Sequence, residues 1–201
     1  MDIIHSAIKR LEARIHGSGA EDGVVRIDTD PDRVICQYEK GACLRAAYGG
    51  RSGEFVTMEP LTATTRVGFM FGAHLEKLPQ RAAACAILNV VAGFFCISRV
   101  LKSCPPEAHR DCITSLKGEI GQATVCLVGM LPAAAGKFDH VVDDPENADI
   151  LLIAGDGIIQ PRTGELIAKY RGVKRIILIA PSTAGVSAIL GCEHWCPFGR
   201  A

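Results

Sequence analysis

The second half of the chain alternates short apolar runs with turn-prone segments, and that rhythm restricts the fold more than any other feature. Thr124–Val128, Asp149–Ala154 and Arg175–Ala180 are dominated by Val, Ile, Leu and Ala, and Thr163–Lys169 has a helical pattern. Strands alternating with helices at this spacing build parallel sheets through crossover connections. The runs show no polar alternation, as strands buried on both faces require. A shorter strand is expected at His140–Val142. The fold class is therefore α/β, with a small Rossmann-like parallel sheet in this half. Ligands of such sheets bind beyond the carboxyl ends of the strands. That rule selects Gly129, then Gly155, Asp156 and Gly157, then Pro181, Ser182 and Thr183 as ligand-binding residues.

The first half follows a different pattern. Ile3, Ile4, Ala7, Ile8, Leu11 and Ile15 recur at helical spacing opposite Lys9, Arg10, Glu12 and Arg14, which predicts an amphipathic helix over residues 2–15. Gly17-Ser18-Gly19 ends it. β-Prone runs at Val24–Asp28, Val34–Tyr38 and Cys43–Tyr48, separated by Asp30-Pro31-Asp32 and Glu39-Lys40-Gly41, predict an antiparallel meander. Gly49–Gly53 reads as a flexible loop, and residues 54–72 carry no clear pattern. Leu78-Pro79-Gln80 opens a long apolar helix from Arg81 to about Leu101, which Cys104-Pro105-Pro106 stops, and a short helix covers Glu107–Ser115. The expected organisation is an α+β domain over residues 1–110 and an α/β domain over 111–201.

Charge and length exclude several classes of partner. The 22 basic and 22 acidic residues cancel, so neither nucleic acid nor an anionic membrane has a large electrostatic footprint to meet. The longest apolar stretch, Ala82–Ser98, is about 17 residues and contains Asn89 and Gly93, which is a core helix rather than a membrane span. Met1–His5 lacks the basic and apolar regions of a secretory leader, so a cytoplasmic location is expected. Nine cysteines at dispersed spacing do not form a disulfide framework. Cys85, Cys96 and Cys126 sit among apolar neighbours and read as small hydrophobes.

The chain closes with Cys192-Glu193-His194-Trp195-Cys196-Pro197. Thiolate and imidazole donors suit a transition metal such as zinc or iron, so Cys192, His194 and Cys196 form a metal-ligand set. A fourth ligand is expected from Cys104, His109, Cys112 or another subunit. The alternatives are a redox-active dithiol and an apolar plug in which Trp195 and Phe198 pack. Gly155-Asp156-Gly157 lacks the spacing of a dinucleotide fingerprint, and NAD is not expected. Ser182 and Thr183 can cap the next helix and leave its amides for a small anion. Asp156 is either a metal ligand or general base, or a turn residue bonding its own backbone.

Four segments resemble the family named for heavy-metal chelation, whose members join an enolase N-terminal-like α+β domain to a Rossmann-like domain. They are Arg81–Asn89, Val128-Gly129-Met130-Leu131-Pro132, Ala148–Gly155 and Ile179-Ala180-Pro181-Ser182-Thr183. The chain departs from the family at Gln160-Pro161-Arg162, where Asn-Gly-Thr is usual, and at Asp156, where a small hydroxyl residue is common. The resemblance implies that a metal or metal-containing small molecule binds in the interdomain cleft. Two other functions compete: an enzyme acting on a small anionic substrate with Asp156 as acid/base and Ser182 orienting an oxyanion, and a homo-oligomeric scaffold strapped by the tail.

Overall fold

The computed structural model describes residues 2–129 and 131–201. Helix α1 (Ile3–Ile15) begins where the Asp2 carboxylate accepts the Ile4 N–H at 2.8 Å, an amide that has no partner within the helix. Its buried stripe is the one its spacing predicts: Ile3, Ile4, Ala7, Ile8, Leu11 and Ile15. Strands β1 (Val24–Asp30), β2 (Ala42–Tyr48), β3 (Arg51–Thr57) and β4 (Ala63–Arg66) then form an antiparallel sheet in the order β3-β2-β1-β4.

Two expectations for this sheet are corrected. Val34–Tyr38 is not a strand but part of the loop joining β1 to β2, because Cys36 and Tyr38 are buried against the second half of the chain instead of pairing in the sheet. Gly49–Gly53 is not a flexible loop. Gly49 and Gly50, both at positive φ, form a two-residue hairpin turn, and β3 starts at Arg51. Strand β3 escaped detection because every residue from Gly53 to Thr57 is buried, which erases alternation.

Helix α2 (Leu78–Phe94) is shorter than expected. A Cβ at Gly93 would lie 2.4 Å from Leu101 Cδ2, so the chain beyond the helix folds back onto that glycine rather than continuing to Leu101. Asn89, fully buried in α2, donates to the carbonyls of Glu54 (2.8 Å), Ser182 (3.1 Å) and Pro181 (3.3 Å) and accepts the Gly185 N–H at 2.7 Å. One side chain thus binds the antiparallel sheet to the second half. Arg81, also buried, pairs with Asp2 and donates to the carbonyls of Leu75 and Ile159.

The second half runs α3 (His109–Ile120), β5 (Val125–Val128), β6 (Ile150–Ile153), a single turn α4 (Gly155–Ile158), α5 (Pro161–Tyr170), β7 (Arg175–Ile179), α6 (Ala184–Leu190) and β8 (His194–Trp195). The four strands are parallel and lie in sequence order. His140–Val142 contributes only an isolated bridge between Val141 and Val125, and α3 extends five residues past Ser115. The unforeseen strand is β8, drawn from the tail and paired to Leu178 and Ile179.

One apolar core contains residues of α1, α2, β1 and β2 together with Ile153, Leu178, Val186 and Ile189 of the second half. Beyond β8, Arg200 pairs in antiparallel fashion with Lys102, and Leu101 accepts the Glu54 N–H of β3 at 2.8 Å. The tail therefore crosses from the parallel sheet to the edge of the antiparallel one. Among the described residues, no helix is long and apolar enough to cross a membrane.

Candidate functional site at the seam of the two sheets

The residues predicted at the carboxyl edge do come together, but mainly against one another. A Cβ at Gly129 would stand 2.4 Å from the Gly157 nitrogen, and one at Gly157 would stand 2.3 Å from the Val128 carbonyl oxygen. These glycines permit close approach of two backbones rather than of a ligand. Pro181, Ser182 and Thr183 are buried. Thr183 does not cap α6; its hydroxyl donates backward to the carbonyls of Ile179 (2.9 Å) and Ala180 (3.1 Å). Ser182 Oγ accepts the Val56 N–H at 2.8 Å. Asp156 opens α4 half-buried, its carboxyl raised by burial and by the charge of Glu59. Met130, within the Val128–Pro132 segment, lies outside the described residues.

What occupies this edge is Glu39, delivered by the β1–β2 loop of the other half. A Cβ on Gly155 would meet Glu39 Oε1 at 2.8 Å and Ser182 Cβ at 2.5 Å. Burial pushes the Glu39 carboxyl up to about 8, although the Ser182 hydroxyl and the Gly155 N–H act in the opposite direction and Glu54 adds to the rise. The hydroxyl and amide are close enough to act on its charge, yet neither completes a well-directed hydrogen bond, and both carboxyl oxygens are buried without a partner. Cys36 and Cys196 feel its charge, and burial raises both thiols. Cys112 Sγ is 3.3 Å from Tyr38 Oη, both buried.

The tail ligands are not gathered. Cys192 lies against the α1–α6 core near Arg171 and Arg10, whereas Cys196 lies on the side of Glu39, Cys104 and Cys112. His194 Nε2 is 3.0 Å from the Ala180 carbonyl oxygen, so it is the protonated ring nitrogen and donates; burial lowers the imidazole's affinity for a second proton. Ala180 has φ 72°, a strained value for a residue with a side chain, at the carboxyl end of β7. His194 and the pairing of β8 hold this strained link in place. His109 presents its carbonyl to Gln37 Nε2 at 2.6 Å, and its own Nε2 is buried without a partner. Among the described residues, no three His, Cys, Asp or Glu side chains form a group able to hold a metal ion. The expected Cys192, His194 and Cys196 set does not fit one: Cys192 packs against the α1–α6 core, His194 Nε2 is engaged by the Ala180 carbonyl, and Cys196 lies on the side of Glu39, Cys104 and Cys112.

An open site lies on the outer side of this seam, where the segment around Leu101–Ser103 joins the tail to the edge of β3. A pocket of about 370 Å³ is lined by Asp30, Arg33, Arg45, Ser52, Glu54, Lys102 and Arg200. Its four cations come from four segments: the β1–β2 loop, β2, the chain beyond α2, and the tail. Only two carboxylate side chains oppose them. Arg33 Nη2 pairs with Glu54 Oε1 at 2.5 Å, and Glu54 Oε2 accepts the Ser103 N–H at 2.9 Å. Lys102 Nζ donates to the Ala201 carbonyl at 3.1 Å and Arg200 Nε to the Ser103 carbonyl at 2.9 Å. Among the described residues, Arg45 and Arg200 make no ion pair.

The sequence did not single out Arg33, Glu39, Arg45, Glu54, Lys102 or Arg200. Glu39 sat within an ordinary turn signal, and Glu54 within the stretch without pattern. Glu54 stands out as a carboxylate within the fully buried stretch Gly53–Thr57, visible once that segment is known to be a strand.

No family model and no curated protein matches the sequence. The solved structures similar to it include two DUF364-family proteins. A DUF364-family protein of unknown function from Pyrococcus horikoshii is 12% identical with a TM-score of 0.51, over 90% of this chain and 80% of that one. A DUF364-family protein of unknown function from Desulfitobacterium hafniense is 12% identical with a TM-score of 0.53, over 92% and 82%. At this identity the likeness is one of fold: the chain has an α/β architecture, an antiparallel and a parallel four-stranded sheet with helices, similar to that of these DUF364-family proteins.

Proposed function

We propose that the protein binds a small anionic molecule in the pocket where the tail crosses the antiparallel sheet. The observation that carries this reading is the convergence of Arg33, Arg45, Lys102 and Arg200 on one pocket against the side-chain carboxylates of Asp30 and Glu54, with Ala201 also in the lining. Guanidinium groups without ion pairs present planar pairs of N–H donors matched to carboxylate or phosphate. Arg45 and Arg200 have donors left to offer, and Ser52 adds a hydroxyl at the same rim. A ligand there bridges both sheets, since Arg45 belongs to the first and Arg200 follows the last strand of the second.

The metal reading implied by the family resemblance takes a specific form at this site. A metal ion already wrapped in a carboxylate chelator is an anion, and such a complex needs cationic side chains rather than three protein donors.

Calorimetric titration with inorganic phosphate, citrate and zinc citrate tests the reading. Binding that weakens with added salt and is lost in the Arg45→Ala/Arg200→Ala variant is expected. Absence of heat from all three probes at millimolar concentration overturns it, as does undiminished binding by the double variant. Zinc citrate bound no better than citrate removes the metal form and leaves the anion reading in place.

A further inference from the structure

We infer that an anion entering this pocket draws a proton onto Glu39, with the Arg33–Glu54 pair carrying the coupling. The inference rests on the anion reading above and adds a regulation of that same site. Arg33 has two roles. Its side chain is 36% exposed and lines the pocket, while its Nε and Nη2 hold Glu54 Oε1 at 2.7 and 2.5 Å. Glu54 is only 3% exposed, and its second oxygen has the Ser103 N–H. Behind it lies Glu39, with no completed hydrogen bond to either oxygen.

An anion held by Arg33 shares the guanidinium charge that otherwise serves Glu54. More of Glu54's negative charge is then left to act on Glu39, and the anion's own charge acts in the same direction. Like charges favour the neutral form of a carboxyl group. Burial already places Glu39 near the midpoint of its titration at about pH 8, so a small change in field moves a measurable fraction of a proton.

The other groups facing Glu39 do not substitute for it. Cys36 in its own loop, Cys43 on β2 and Cys196 on the tail all have thiols raised by burial, Cys43 to about 12, and stay protonated at this pH. The Ser182 hydroxyl and the Gly155 amide do not titrate there, and guanidinium groups remain charged. The proton balance is one-sided: anion binding takes protons from the solvent, and by linkage lower pH favours anion binding.

The test is calorimetry on the intact wild-type protein with citrate at pH 8, where the carboxylates of citrate are ionised. It is run in two buffers of different ionisation enthalpy. The expected result is an apparent enthalpy that differs between buffers in the sense of proton uptake. Half a proton taken up corresponds to roughly threefold weaker binding for each unit rise in pH. Citrate binding with equal enthalpy in both buffers, or with proton release, overturns the inference and leaves the anion reading standing. No citrate binding at all overturns the inference, while the anion reading falls only if phosphate and zinc citrate fail to bind as well. Glu39→Gln, if it binds citrate, is expected to lose the buffer dependence; retention of that dependence places the proton elsewhere and overturns the assignment.

Discussion

The backbone N–H of Val56 donates to Ser182 Oγ at 2.8 Å across 126 residues of sequence. An edge strand of the antiparallel sheet is thereby fixed to the turn at the carboxyl edge of the parallel sheet. Asn89 reinforces the same junction by donating to the Glu54 and Ser182 carbonyls. Ser182→Ala leaves a buried amide without an acceptor and should cost about 1–3 kcal/mol. Asn89→Ala removes several partners and should cost about 2–4 kcal/mol. Urea denaturation of the two single variants and the double variant should show a cost that is not the sum of the singles, because they share one turn. Strict additivity would refute the shared junction.

Gly129 is intolerant of any side chain. Its φ is 95°, and a Cβ would approach the Gly157 nitrogen to 2.4 Å, an atom fixed in the chain. Gly129→Ala should lose more than about 2 kcal/mol through strain and displacement. Gly191→Ala is the control, since its φ of 70° is also left-handed but nothing lies within 4 Å. That variant should lose only about 1 kcal/mol. Equal melting temperatures for the two variants would contradict the difference in crowding.

Glu39 gives stability a definite pH dependence. Its carboxyl, raised by burial to about 8, binds a proton more tightly in the folded than in the unfolded chain. Its favourable contribution is full below the ordinary carboxylate range and is lost as pH rises through about 8, with a slope approaching 1.4 kcal/mol per unit. Glu39→Gln, which keeps the shape and removes the ionisation, should flatten that slope. Denaturation midpoints measured from pH 5 to 9 on both proteins read the difference directly, and parallel curves would exclude a buried protonated carboxyl.

Asp2 acts with the opposite sign. Burial opposes its ionisation, but the Arg81 guanidinium and the Ile4 and His5 amides outweigh burial and hold its carboxyl below the usual value. Its contribution is present above the ordinary carboxylate range and is lost as pH falls through the lowered value. Asp2→Ala strips the buried Arg81 of its counter-charge and should cost about 3–5 kcal/mol at neutral pH. A cost below 1 kcal/mol, near that of a surface pair, would show that Arg81 finds other partners.

The thiols should separate by access. Cys96 is the exposed cysteine, contrary to its apolar sequence context, because α2 ends two residues earlier and the chain turns at φ 55°. Six others are buried, and Cys192 and Cys196 are partly so. A thiol reagent should label Cys96 in the fastest phase, and Cys96→Ser should remove that phase. A fast phase surviving the substitution would place the accessible thiol in the tail.

The parallel sheet, helix α1 and the helical character of residues 81–94 could be read from the chain itself. Their signals are local: apolar spacing along one face, or uninterrupted apolar runs between turns, act within a few residues. Strand β3, strand β8 and the early end of α2 were not legible in this way. Glu54 sits in β3 because Arg33 and Ser103 satisfy it, and His194 is drawn into β8 by pairing with Leu178 and by the Ala180 carbonyl. Those partners are remote in sequence, and no local pattern encodes them. The pocket follows the same logic. Arg33, Arg45, Lys102 and Arg200 are scattered over the chain, and only the crossing of the tail onto the antiparallel sheet makes them neighbours. Sequence alone determined helix α1, the body of α2 and the parallel strands β5, β6 and β7, because propensity and periodicity are local. Tertiary structure decided where charge accumulates, because Coulombic interaction depends on distance in space rather than along the chain.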